Sequence, residues 1–317
     1  MSEIAYQALI VVLVLGGALS AAAGLIWVER RMLGFWQDRL GPNRVGPQGI
    51  MQVLADMIKI LSKEDWIPPF ADRPVFVVAP TIAVLTTWLS FVVIPFTADI
   101  SVIDLDIGLL FVLAMFSLSV YSVVLAGWSS HSKYSLLGGL RATAQLLSYE
   151  VFMGLSLMGV VMLAGSFNLK DIVAAQKNVW FCIPQFPGLV IFLIAGVAET
   201  HRLPLDIPEA ESELVQGYHT EYSGIKFGLF FVGEYLGIVL TSAFIVTLFF
   251  GGWAGPLLPP YVWFAGKWLV FVILFILLRA ALPRPRYDQL MDYAWKILLP
   301  LSLLNIVATA GILLMLR

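Results

Sequence analysis

Residues 225–250 read IKFGLFFVGEYLGIVLTSAFIVTLFF, an apolar run long enough to cross a bilayer, with a carboxylic acid, Glu234, inside it. If the run enters hydrocarbon as a helix at residue 225, Glu234 lies roughly 13 Å in, at about 1.5 Å per residue. An ionisable group that deep is costly unless a partner or water reaches it, so it marks a pathway for ions, protons or a ligand. Its neighbours at helical spacing, Phe230, Phe231, Gly237 and Ile238, offer it no polar group. A neutral carboxyl bonded to another helix is the plainer alternative.

Outward from this run, 60% of the 317 residues are hydrophobic and only 13% charged, with a mean hydropathy of +0.89. Soluble domains carry about 25% charged residues, so the chain is an integral membrane protein. Runs near the span length occur at about 4–28, 74–97, 107–127, 145–165, 186–202, 225–250, 261–281 and 294–315. They predict an all-α fold of about eight transmembrane helices, the fifth the weakest because it is short and stops at Pro204. An even count puts both termini on one side. With the N-terminus outside, only Lys170, Lys177, Lys267 and Arg317 of the 19 Lys and Arg face outward, which orients the chain by the positive-inside bias. The outer loops are short, or acidic as at Asp99, Asp104 and Asp106. No repeat or low-complexity tract divides the chain, so a single membrane domain over 1–317 is expected, with cytoplasmic loops at about 29–73, 128–144, 203–224 and 282–293. No cleavable signal is expected, because the basic pair follows the run 4–28 instead of preceding it.

The same composition limits the chemistry. One cysteine, Cys182, excludes an internal disulfide and any Cys-ligated cluster. His131, His201 and His219 lack the paired spacing of a metal site, and no Gly-rich phosphate loop follows a strand-like run. No metal and no redox centre is therefore expected in this chain.

The inner loops differ from one another. Residues 29–49, ERRMLGFWQDRLGPNRVGPQG, mix Arg with Gly and Pro and read as a turn-rich ordered loop. In 48–63, Ile50, Val53, Leu54, Met57, Ile58 and Leu61 recur at helical spacing opposite Gln52, Asp56, Lys59 and Lys63. That pattern predicts an amphipathic helix in the membrane surface, or one packed on neighbouring spans; either borders an opening from the bilayer. Residues 203–224 are dense in acid, with Asp206, Glu209, Glu211, Glu213 and Glu221. Asp206 can cap a helix with Pro208 in its first turn and Glu209 three residues on, and Gly217 can stop it. Glu209 and Glu213 then share a face and repel. A solvated acidic loop and a site for cationic partners or proton transfer both fit. In 279–296, RAALPRPRYDQLMDYAWK, Arg279, Arg284 and Arg286 flank two prolines, with Asp288 beside them. Headgroup anchoring and ion pairing with the acidic loop are the two readings there.

Two more acids lie within spans, Glu150 early in the fourth and Glu199 late in the fifth, both in the cytoplasmic half with Glu234. Each alone can snorkel to the interface. Together with the acidic loop they outline a trail of protonatable groups into the membrane.

Five blocks carry a family resemblance: ERRMLGFWQDRLGPNRVGPQG (29–49), KEDWIPPFADRPVF (63–76), AGWSSHSKYSLLGGLRATAQLLSYE (126–150), AETHRLPLDIPEAESELVQGYHTEYSGIKFGLFFVGEY (198–235) and LPRPRYDQLM (282–291). They closely resemble the H subunits of bacterial NADH:quinone oxidoreductase, respiratory complex I, in their proteobacterial form. The resemblance implies an enzyme subunit of the cell inner membrane that joins the membrane arm to the peripheral arm and forms much of a quinone-binding chamber. It implies ubiquinone as substrate, with NADH, FMN and iron–sulfur clusters confined to partner subunits of the complex, membrane lipid as surroundings, and no nucleic acid. By position, Arg30, Arg31, Arg39 and Arg44 would belong to the chamber wall and docking loop, and the helix carrying Asp56 and Lys59 would border the quinone entrance. Glu150, Glu199, Asp206, Glu209, Glu211, Glu213, Glu221 and Glu234 would form the acidic funnel that couples quinone reduction to proton pumping.

Three rivals remain. One is the homologous subunit of an ion-translocating hydrogenase, against which the blocks at 29–49 and 203–224 argue. A proton-coupled secondary transporter lacks support without repeat symmetry. An inert anchor fits poorly with acids this deep.

Overall fold

A computed structural model describes residues 3–98, 100–207 and 211–316, with no account of the side chains at 3, 4, 211 and 212. Helices α1 (Glu3–Trp36), α3 (Arg73–Ser90), α4 (Gly108–Ser129), α5 (Lys133–Ala164), α9 (Gly224–Phe249), α10 (Pro260–Ala281) and α12 (Leu299–Leu316) form the frame. Between them lie α2 (Gln52–Ser62), α6 (Leu169–Ala175), α7 (Phe186–Glu199), α8 (Glu211–Leu214) and α11 (Tyr287–Tyr293). Among the described residues, seven helices are long and apolar enough to span a bilayer, the last running Tyr287–Leu316, and α7 is a shorter apolar helix. That is the expected all-α membrane architecture, with the fifth run as the short one.

Local chemistry sets the ends. Pro187 opens α7, Asn168 caps α6 by accepting from the Lys170 amide, and Gly165, left-handed at φ 71°, closes α5. Pro300 cannot donate a backbone bond, and the turn just before it, Ala294–Leu298, widens into a π-helix between α11 and α12.

Three predicted loops turn out shorter. α1 runs through Glu29–Arg31 to Trp36, because its charged residues find partners and the first breaking pair, Gly41–Pro42, comes only later. α5 begins at Lys133, leaving three residues between it and α4. Residues 287–293 are helical as α11, so only 282–286 connect it to α10. The predicted amphipathic segment 48–63 is helical over Gln52–Ser62. Of the acidic loop, 208–210 lie outside the described residues, including Glu209 and most of the first turn predicted after Asp206; Asp99 and Arg317 lie outside them too. α8 ends at Leu214, and Gly217, at φ 58°, opens a 3-10 turn instead of stopping a helix.

Hydrogen bonds sort the connections to two ends of the bundle. Asp72 N to Ser129 O (3.0 Å) and Ser135 Oγ to Tyr218 O (3.1 Å) tie one end together. Leu109 N to Phe167 O (3.0 Å) and Cys182 N to Phe249 O (2.8 Å) tie the other. α9 is the axis: 78% of its apolar window is buried, against 22–50% for the other spans. The acidic loop is pinned against α5. Gln145 Nε2 donates to Leu205 O at 2.7 Å, and a Cβ on Gly138 would stand 2.4 Å from Gly217 Cα, so only glycine permits that crossing.

Candidate functional site

α7 spans about 21 Å at 1.5 Å per residue, less than the roughly 30 Å of hydrocarbon. Irregular backbone at membrane depth is tolerated only where protein or a water-filled cavity satisfies it. At the end of α7 and just after it, Glu199, Thr200, His201, Arg202 and Asp206 line two adjoining cavities. The larger, about 180 Å³, is bounded by His201, Arg202, Asp206, Gln216, His219, Phe231, Glu234 and Arg279. The smaller, about 50 Å³, has Ser119, Ser122, Glu199, Thr200, His201, Tyr218 and Glu234 in its wall. His201 and Glu234 belong to both.

The charges here are mutually bound. Arg202 Nη1 donates to both oxygens of Glu29 (3.2 and 3.3 Å), its Nη2 stands 3.9 Å from Glu234, and its guanidinium lies 4.2 Å from the Tyr235 ring centroid. Arg279 also bonds Glu29. Side-chain exposures of 7% for Arg202, 3% for Glu29 and 11% for Glu234 make this an ion cluster in a low dielectric, where losing one member strands the rest. At its rim Arg284 forks onto Asp206 through two bonds of 2.8 and 2.6 Å. Burial, with His201 alongside, pushes His219 down to about 3, so that imidazole is neutral at neutral pH.

A third cavity, apolar and about 340 Å³, lies between α1, α2 and α9. Ile26, Val53, Met57, Ile60, Leu61, Phe231, Val232 and Tyr235 are among its lining residues. Arg30 and Asp56 are in its wall and joined at 2.6 Å, with Gln52 donating to the same carboxylate. No residue of α2 is buried. Phe231 belongs to this cavity and to the larger polar one, so α9 separates an apolar chamber from the ion cluster.

The structure gathers the predicted residues unevenly. Glu234, Glu199 and Asp206 converge on the polar cavities; Glu150, bonded by Ser117, sits beyond them on α5. Glu213 pairs with Arg141 (2.7 Å), whose guanidinium lies 4.9 Å from the Tyr287 ring centroid; neither Glu213 nor Glu221 lines these cavities. The side chains of Glu209 and Glu211 lie outside the described residues. Of the four arginines assigned to the chamber, only Arg30 lines the apolar cavity. Arg31 holds Gln48 O (2.8 Å), Arg39 holds Gln37 (2.8 Å), and Arg44 is exposed, as is Lys59. Of the 279–296 segment, Arg279 and Arg284 join the buried acids, whereas the Arg286 side chain pairs with nearby Asp288 at the surface.

Sequence reasoning missed Glu29, Arg202 and Tyr235. Glu29 and Arg202 each stand at the edge of an apolar run, where they read as topological flanks. Only the pairing of Glu29 with Arg202 and Arg279 separates it from such a flank. Among the described residues no group of three or more His, Cys, Asp or Glu converges as metal ligands.

Fold and site together define a polytopic membrane protein whose charges gather beside an apolar lateral chamber. The family described as NADH dehydrogenase matches residues 8–310. The H subunit of the NADH-quinone oxidoreductase from Methylococcus capsulatus is 65% identical over 304 residues, 96% of each chain. The chain belongs to the NADH dehydrogenase family.

Proposed function

We propose that this chain is a membrane subunit of an NADH-quinone oxidoreductase, in which it forms the quinone chamber and passes the effect of quinone reduction to a row of buried acids. One observation carries the reading: the apolar cavity and the ion cluster share a wall, α9 from Phe231 to Tyr235. An isoprenoid tail fits the apolar side, reached laterally past α2, with Arg30 and Asp56 at its edge. Electrons arrive from clusters in partner subunits of the complex. Reduction of a quinone places negative charge that takes up two protons. Glu234, set 3.9 Å from Arg202, answers by changing its protonation or its hold on that arginine. Glu199 and Glu150 extend the response toward the edge of the bundle, while Glu29 keeps Arg202 and Arg279 in place. Asp206 and Glu213 act through their arginines, fixing the loop against α5 and the 282–286 connection.

In this reading the chain sits in a bacterial inner membrane with its N-terminus periplasmic and its ion-paired end cytoplasmic, where partner subunits dock, and ubiquinone is the substrate. A photoreactive ubiquinone analogue with a long tail tests the chamber. Labelling on α1, α2 or the 225–235 half of α9, blocked by excess ubiquinone, is expected. Labelling confined to other subunits contradicts it.

A further inference from the structure

The proposed route uses Glu199, yet the residue is buried at 9% exposure, and its Oε2 has no hydrogen-bond partner among the described residues. Its Oε1 meets one group, Ser119 Oγ on α4, at 3.2 Å. That hydroxyl has a second acceptor in reach, Phe116 O at 2.7 Å. A serine hydroxyl carries a single hydrogen and can also accept. It can therefore donate to one of these two oxygens at a time.

We propose that Ser119 is a two-position hydroxyl that accommodates Glu199 in both of its protonation states, and so is a positioning residue for the coupling reaction. When Glu199 is ionised, Ser119 turns its hydrogen onto Oε1. When Glu199 holds a proton, the carboxyl donates to Ser119 Oγ, and the serine hydrogen returns to Phe116 O. No bond other than hydrogen bonds changes, and the proton count on the serine stays constant. Leaving Oε1 unpaired in either state costs the desolvation of that atom, so a rotor of this kind keeps Oε1 bonded while the acid cycles. The neighbouring geometry favours rotation in place: Ser122 Oγ donates to Ser119 O at 2.6 Å and fixes the backbone of that turn, and the hydroxyl faces the small cavity it shares with Glu199 and Glu234.

This inference rests on the reading of Glu199 as a coupling acid, and its test separates the two. The assembled oxidoreductase, reconstituted in liposomes, is compared as wild type, Ser119→Ala, Ser119→Thr, Glu199→Gln and the Ser119→Ala/Glu199→Gln double variant. NADH-driven proton uptake and redox-induced infrared difference spectra are the readouts. The expectation is a roughly tenfold loss of coupled turnover in Ser119→Ala, near-normal rates in Ser119→Thr, and no further loss when Ser119→Ala is added to Glu199→Gln. The carboxyl band that disappears in Glu199→Gln should shift in Ser119→Ala and stay in Ser119→Thr, which a purely structural serine would not cause. Impaired Glu199→Gln with normal Ser119→Ala overturns the rotor alone. Normal Glu199→Gln overturns the role of Glu199 and the rotor with it.

Discussion

The two halves of α9 belong to one apolar run and have opposite duties. From Leu236 to Phe249 every residue is buried and packed into the main core, with Phe244, Ile245, Val246, Leu248 and Phe249 wholly so. From Gly224 to Tyr235 the same helix borders three cavities, pairs Lys226 with Asp65 and holds Glu234 near Arg202. The difference teaches that hydropathy identifies a span but not its work. What separates scaffold from site here is charge: the first half holds Lys226 and Glu234 against partners, whereas the second half, beyond Gly237 at the edge of the small polar cavity, meets only an apolar cavity through Val239 and Ala243.

The most severe way to break this contrast is Arg202→Ala. It leaves Glu29 and Glu234 as buried carboxylates with one cation fewer, a loss of about 3–5 kcal/mol. The expected outcome is little or no assembled complex on native gels; normal assembly would mean that the cluster is hydrated rather than buried. In the other half, Phe244→Ala should cost about 3–5 kcal/mol through its cavity. Its assembled fraction should fall while turnover per assembled enzyme stays normal. Altered coupling in that variant would erase the distinction between the halves.

A subtler probe is Gly228→Leu. A Cβ there would meet Ile60 Cγ2 at 3.0 Å and intrude on the apolar cavity. KM for long-tailed quinone should rise several-fold, with NADH oxidation by a water-soluble acceptor unchanged. An unchanged KM would remove the tail from that cavity.

The acidic loop makes a pH prediction. His219 is held near 3 in the folded protein against about 6.5 unfolded, so the unfolded chain binds more protons between those values. Stability is therefore unaffected by this group well above pH 6.5. It falls by up to about 1.4 kcal/mol per pH unit as pH drops below that. Thermal-shift midpoints of the complex between pH 7.5 and 5.5 should show the decline, and His219→Gln should reduce it. A flat profile would mean water reaches the ring.

The smallest effect belongs to Arg286→Ala. Its pair with Asp288 is exposed (76% and 63%), so stability should move by less than about 0.5 kcal/mol in chemical denaturation. Arg284→Ala, which removes a bidentate partner from a mostly buried Asp206, should cost clearly more. Equal effects would deny that burial governs these pairs.

The spans, the short α7, the amphipathic α2 and the depth of Glu234 were legible because each depends on local hydropathy or helical period. The full lengths of α1 and α5 were not, since Glu29–Arg31 and Arg141 resemble loop residues until their partners are known. Pairings such as Arg202 with Glu29, 173 residues apart, leave no mark on either segment alone. The acid-rich loop carried its own signal, but not which acids are spent on arginines, as Asp206 and Glu213 are.

The central claim is that the 225–235 half of α9 couples quinone chemistry to proton movement through Glu234. Isosteric Glu234→Gln in the reconstituted complex, with protons taken up per NADH measured beside quinone reduction, addresses it most directly. Normal assembly with at least about tenfold slower coupled turnover is the predicted result. Wild-type rates and proton yield in the assembled variant would contradict it.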